Sequence, residues 1–294
     1  MLSLADGGIE TALTDRLHQE LPEFAAFVLL DTEPGRQALR DYYLPFIEEA
    51  GRSGLPIVLD TPTWRANPDW LRRLGYDAGE IVRINAAAVE LLRRTVAAAS
   101  PRAATVLNGC IGPRFDDYLR EQRMAAAEAE AYHAPQIAAL AAAGVDRVTS
   151  VTTLDAAEAI GVVRAAVAVD VPVAVSFTVG ADGHLASGDS LSSAIAEVDG
   201  ATGGVAIGYL VNCAHPAEVE PALRDGGAGG RLIGFRLNAA REGDDGPGDA
   251  PESFAAGLLA LRQHAPQAQI FGGCCGTDAP HIAAVADALR RGER

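Results

Sequence analysis

Three cysteines beside glycine-rich turns carry the strongest chemical signal in this sequence: Cys213 in "VNCAHP" (211–216), and the adjacent pair Cys274 and Cys275 in "FGGCCGT" (271–277). A bond between the neighbours is disfavoured, because Cα atoms across a trans peptide lie ~3.8 Å apart and disulfides need about 4.4–6.8 Å. Core packing is the competing reading, since free cysteine is among the most buried residue types. It suits the lone Cys110 best. Two adjacent thiols pack poorly into one core, because successive extended residues point to opposite faces. Gly272, Gly273 and Gly276 would instead let the chain bend until both sulfurs face one point. A phosphate cradle would use the glycines and leave the cysteines without a role. A zinc site uses both. Zinc takes thiolates at ~2.3 Å in a tetrahedron, and a catalytic site keeps one position open. Cys213, Cys274 and Cys275 would fill three positions. His215 and Cys110 are possible substitutes or a fourth ligand, and a fourth protein ligand would make the site closed and structural.

Other chemistries are excluded by what the chain lacks. All 24 lysine-plus-arginine positions are arginine, which removes a Schiff-base lysine, a pyridoxal-phosphate anchor and a P-loop lysine. No H-x-H or H-E-x-x-H pattern occurs, which disfavours histidine-based zinc hydrolase sites. A net charge of −15 repels nucleic acid and anionic membranes and favours cationic ligands. The opening "MLSLADGGIE" has neither the basic nor the apolar region of a signal peptide. No apolar stretch approaches the ~20 residues a membrane helix needs. Four cysteines in 294 residues is not a disulfide scaffold. The expectation is a cytoplasmic enzyme.

The elements that must position the cysteines follow from hydrophobic period. Short β-branched runs fall at 2–5, 56–60, 104–108, 147–151, 173–179, 206–212, 232–237 and 269–273. Helical patterns lie between them, among them 36–53, 78–99, 122–143, 155–168, 190–199, 216–224 and 252–264. His133 and Pro135 suggest a break inside the third of these. Eight strands separated by helices predict a (β/α)8 TIM barrel, one domain over residues 1–294. No G-x-G-x-x-G follows the first strand, which weakens a dinucleotide-binding fold. The stretch "REGDDGPGDAP" (241–251) reads as a long mobile loop after the seventh strand. Asp6-Gly7-Gly8, Asp60-Thr61, Cys110, Cys213 and Cys274-Cys275 then all follow or close barrel strands. Those loops open on one face, where barrel active sites sit.

"VNCAHP" with "GGCCGTDAPHI" (272–282) resembles the homocysteine S-methyltransferase family, zinc-thiolate barrels that methylate homocysteine. "DGGIET" (6–11), "LDTPTWRAN" (59–67) and "LNGCIGPR" (107–114) resemble its Asp-Gly-Gly, Thr-x-Thr and Gly-x-Ile-Gly-Pro motifs. The resemblance implies Cys213, Cys274 and Cys275 as Zn2+ ligands. It further implies Asp6 as a contact to the substrate amino group, and the backbone N–H groups of Gly8 and Ile9 as contacts to its carboxylate. The family's glutamate-threonine pair after strand four is replaced within "VTSVTTLDAAEA" (148–159), where Val151 or a threonine takes the acid's place. Its Tyr-Pro-Asn-like segment after strand seven appears as "RLNAAREG" (236–243). Glu10 is a candidate to take over amine binding.

The activity so implied moves a methyl group from an onium donor of the S-methylmethionine, S-adenosylmethionine or betaine type to a zinc-bound thiol. The expected acceptor is homocysteine, giving methionine. No catalytic side chain is expected beyond the metal centre, and both partners are small molecules. Trp64 and Tyr42 are candidates to face the cationic donor, and Asn212 is a further candidate substrate contact. The alternatives are the same zinc chemistry on another thiol or on a selenol, and a non-catalytic zinc-thiolate binding or sensor barrel.

Overall fold

The computed structural model describes residues 1–115, 122–224, 226–244 and 246–292. Eight strands form: β1 (Ser3–Ala5), β2 (Ile57–Asp60), β3 (Thr105–Ile111), β4 (Arg147–Thr153), β5 (Val173–Phe177), β6 (Gly208–Asn212), β7 (Leu232–Leu237) and β8 (Ile270–Gly273). Each pairs in parallel with the next, and β8 returns to β1 to close the barrel. The expected (β/α)8 architecture is therefore present.

Burial explains why these short runs are strands. Alternate side chains point inward, where Ala5, Val58, Ala174, Leu210 and Ile270 form a small interior cluster. The opposite set, with Leu4, Ile57, Val173 and Phe271 among it, packs under the helices in a much larger cluster. Helices begin where the sequence offers a cap. Thr32 caps Glu33–Ser53, Asp155 caps Ala156–Ala168 and Ser190 caps Leu191–Thr202, each side chain accepting a backbone N–H of the first turn. Among the described residues no helix is long and apolar enough to cross a membrane.

Three expectations are corrected in detail. Strand β3 continues to Ile111, so Cys110 lies on the strand and not in the loop after it. The helix expected from 122 begins at Ala126 and passes through His133 and Pro135 to Ala143 without a break. The helix packs closely there against Ala156–Ala168. A Cβ at Gly161 would stand 2.5 Å from the Ala129 Cβ, and His133 Nε2 meets Glu158 Oε1 at 2.8 Å. Helices over Pro68–Arg73 and Ala279–Gly292 also form, outside the periods noted above.

Candidate functional site

The three cysteines meet at the C-terminal mouth of the barrel. Their sulfurs all lie within 4.8 Å of one another, with Cys213 Sγ and Cys275 Sγ 3.9 Å apart. Tetrahedral thiolates on a metal at ~2.3 Å would stand about 3.8 Å apart, which the Cys213–Cys275 separation matches. No other group of metal-ligating side chains of this kind occurs among the described residues.

Local backbone geometry produces this convergence. Cys213 takes a left-handed conformation (φ 55°) immediately after β6, which turns its side chain over the mouth. Its N–H donates to the Arg236 carbonyl at 3.3 Å, and that of Cys274 donates to the Leu237 carbonyl at 2.7 Å, so the end of β7 fixes both turns. Asn238 is the link between them. Its Oδ1 accepts the Cys275 N–H at 3.0 Å, and its Nδ2 lies 4.0 Å from Cys213 Sγ. The β8 glycines are needed for close approach: a Cβ on Gly273 would run into the Thr277 side chain, and one on Gly8 into the Cys274 carbonyl. Hydrogen bonds from Cys213 and Cys275 hold the Cys274 thiol well below its ordinary pKa, while the same contacts push the Cys275 thiol well up.

The two residues offered as a fourth ligand stand outside this group. His215 caps the helix Pro216–Leu223: Nδ1 accepts the Ala217 N–H at 3.2 Å and Nε2 meets Asp249 Oδ2 at 3.1 Å. The Asp249 N–H in turn donates to the Ala239 carbonyl at 2.7 Å, so part of the 241–251 stretch is tied to the barrel rim. Cys110 is buried, and burial pushes its thiol pKa well up. Its backbone is held between the Thr61 and Thr63 hydroxyls, at 3.0 and 2.7 Å.

Beside the cysteines is a cavity of about 680 Å³, counting the space open to solvent. That lies within the range of small-molecule sites, about 300–1,000 Å³. It brings together every candidate substrate residue: Asp6, Gly8, Ile9, Glu10, Trp64 and Asn212. Their hydrogen bonds differ. Gly8 already donates its N–H to the Thr277 carbonyl at 3.1 Å. The Asn212 amide is spent on the barrel itself: Oδ1 accepts from Ser176 Oγ at 2.6 Å and from the Thr152 N–H at 3.0 Å, while Nδ2 donates to Thr152 Oγ1. This holds Thr152 at φ 61° and presents Val151 to the cavity where the family's acid is expected. Trp64 lines the cavity with its indole N–H on the Val151 carbonyl at 3.3 Å. Tyr42 does not reach it. That ring is fully buried, with its hydroxyl on the Gly7 carbonyl at 2.9 Å.

Arg236, at the end of β7, plays the part that sequence reasoning missed. Its guanidinium pairs with Asp6 through Nη2 and with Asp60 through Nη1. Its register neighbour on β8 is Gly272, which lies against Ala5 of β1, so the small side chains leave room for it to cross. The remaining oxygens of both acids are also engaged, Asp6 Oδ2 by the Asp60 N–H at 3.2 Å and Asp60 Oδ1 by Asn108 Nδ2 at 2.6 Å. Burial nevertheless pushes the Asp6 carboxyl up to about 7, with Arg236 opposing the rise. Glu10 is a contrast. Its carboxyl accepts its own backbone N–H, and burial pushes it up to about 8 with the Arg65 charge among the influences that oppose the rise. The "RLN" departure in the sequence marked Arg236 and Asn238, but composition gave them no role.

A family model described as homocysteine S-methyltransferase matches residues 3–289. The chain belongs to that family. It is accordingly a methyltransferase with thiol-methylating relatives. The metallated form of the Escherichia coli homocysteine methyltransferase MmuM superposes with a TM-score of 0.79 at 22% identity, covering 98% of this chain and 96% of that one. The oxidized form gives 0.79 at 21% identity over the same shares. The apo form gives 0.72 at 22%, covering 97% and 95%. These likenesses show the shared fold. No curated protein matches the chain.

Proposed function

We propose that this family member transfers a methyl group from a small onium donor to the thiol of a small acceptor held at a zinc ion bound by Cys213, Cys274 and Cys275. The observation that carries the reading is three converging thiols with no fourth metal-ligating side chain beside them among the described residues. That donor set leaves a tetrahedral ion one open position. The E. coli relative, described as a homocysteine methyltransferase, exists in a metallated form, which supports a metal here. Homocysteine is the acceptor the family points to, and methionine the product.

When bound, zinc would lower the pKa of an incoming thiol, ordinarily about 8.5, and fix its sulfur. The chain supplies the rest. The new S–C bond forms as the donor's C–S+ or C–N+ bond breaks, and the donor leaves as a neutral thioether or amine. Proximity accounts for much of the acceleration, because the reacting atoms must be held at about 3–3.5 Å in line. Trp64 lines the cavity, with the Arg65 guanidinium 4.4 Å from its ring centroid, and is the indole placed to meet the onium charge. Val151 and the other apolar lining keep water from the reacting centre. Asn238 and the β8 glycines hold the ligand geometry.

The test is a matrix of donors (S-methylmethionine, S-adenosylmethionine, betaine) and thiol acceptors with zinc-loaded protein, read by product mass. The expected result is methylated thiol that disappears with Cys275→Ala and with chelation. Full turnover after metal removal would overturn the reading.

A further inference from the structure

The cavity contains three carboxyl groups, and they are not equivalent. Asp6 and Asp60 share the Arg236 guanidinium, and all four of their oxygens have protein partners. The Glu10 carboxyl has no cationic side chain and no side-chain hydrogen-bond donor in contact with it among the described residues, and it lines the same cavity. Glu10 is half-buried and feels the Arg65 charge only through space, so its carboxyl oxygens still have room for a ligand's cationic donor.

Position indicates which cation that is. Asp6 and Glu10 lie in the same turn after β1, and this turn packs directly on the metal-binding turn: a Cβ on Gly8 would clash with the Cys274 carbonyl, and Thr11 Oγ1 accepts the Gly276 N–H at 3.2 Å. An acceptor whose sulfur sits among the cysteines therefore brings a group three or four bonds away into reach of this turn. The donor's charged atom must instead lie on the far side of the sulfur it methylates.

We infer that Glu10, in place of the Arg236-paired Asp6, is the residue that recognises the ammonium group of an amino-acid thiol. The inference rests on the proposed thiol methylation for the location of the sulfur. Arg236 and Asp6 form a fixed internal pair that shapes the floor of the site, and Glu10 sets acceptor specificity by a charge-assisted hydrogen bond.

Binding of the thioether product separates this claim from catalysis, because it requires neither turnover nor a metal-held thiol. Calorimetry should show methionine binding about 10- to 100-fold more tightly than 4-(methylthio)butanoate, its analogue without the amino group. Glu10→Gln should bring the two within about threefold, chiefly by weakening methionine, and Glu10→Asp should restore part of the preference. In turnover, the same variants should reduce the preference for homocysteine over 4-mercaptobutanoate while leaving the donor KM unchanged. Equal binding of the two thioethers by the wild type, or an intact preference in Glu10→Gln, would overturn the assignment. A preserved, Glu10-dependent methionine preference without methylation of any thiol would support Glu10 and reject the proposed reaction instead.

Discussion

Cys213 Sγ and Cys275 Sγ stand 3.9 Å apart although 62 positions separate them in the chain. The separation is what two thiolates on one zinc ion require, and it is set by backbone contacts to β7. Asn238 holds both partners at once. Replacing it with alanine frees the Cys275 N–H and loosens the pair. Asn238→Ala should weaken zinc affinity about 10- to 100-fold, the usual cost of losing an outer-shell partner, as measured by competition with a chelator.

Removal of Arg236 should be felt first as instability. Arg236→Met leaves Asp6 and Asp60 buried without their shared counter-ion. The expected loss is about 3–5 kcal/mol, read from urea denaturation. A loss below about 1 kcal/mol would show that water, and not the arginine, compensates the two acids.

The sequence made the barrel and its cluster of three cysteines legible for separate reasons. Strand and helix periods differ sharply enough to count eight repeats, and the cysteine turns carry their glycines beside them. Charge pairing was not legible. Nothing local in "FRLN" shows that Arg236 crosses from β7 to the loops after β1 and β2, because that contact depends on Gly272 and Ala5 being small on the strands between. Tyr42 was ambiguous for a related reason. Its helical position fits the core and the rim equally, and only the packing of its hydroxyl on the Gly7 carbonyl decides.

Glu10 should impose a pH dependence on stability. Its carboxyl is raised from 4.5 to about 8 in the folded chain. Between those values the folded state binds more protons than the unfolded state, so stability falls as pH rises. Metal-free protein should lose of order 1–3 kcal/mol more between pH 5.5 and 8.5 than the Glu10→Gln variant. Urea denaturation at the two pH values measures the difference, and equal losses would contradict the raised carboxyl pKa of this acid.

Trp64 and Tyr42 should separate cleanly. Trp64 lines the cavity, so Trp64→Leu should raise the donor KM about 3- to 30-fold through loss of a cation–π contact. Tyr42→Phe should cost about 1 kcal/mol of stability, from the lost bond to Gly7. Its donor KM should stay unchanged.

The central claim is an open metal position completed by the acceptor's sulfur. X-ray absorption on zinc-loaded protein, with and without saturating homocysteine or 4-mercaptobutanoate, tests it most directly. The predicted result is three sulfur ligands and one lighter atom without thiol, becoming four sulfurs when either thiol is added. Four sulfurs before any thiol is added, with no change afterwards, would contradict the account.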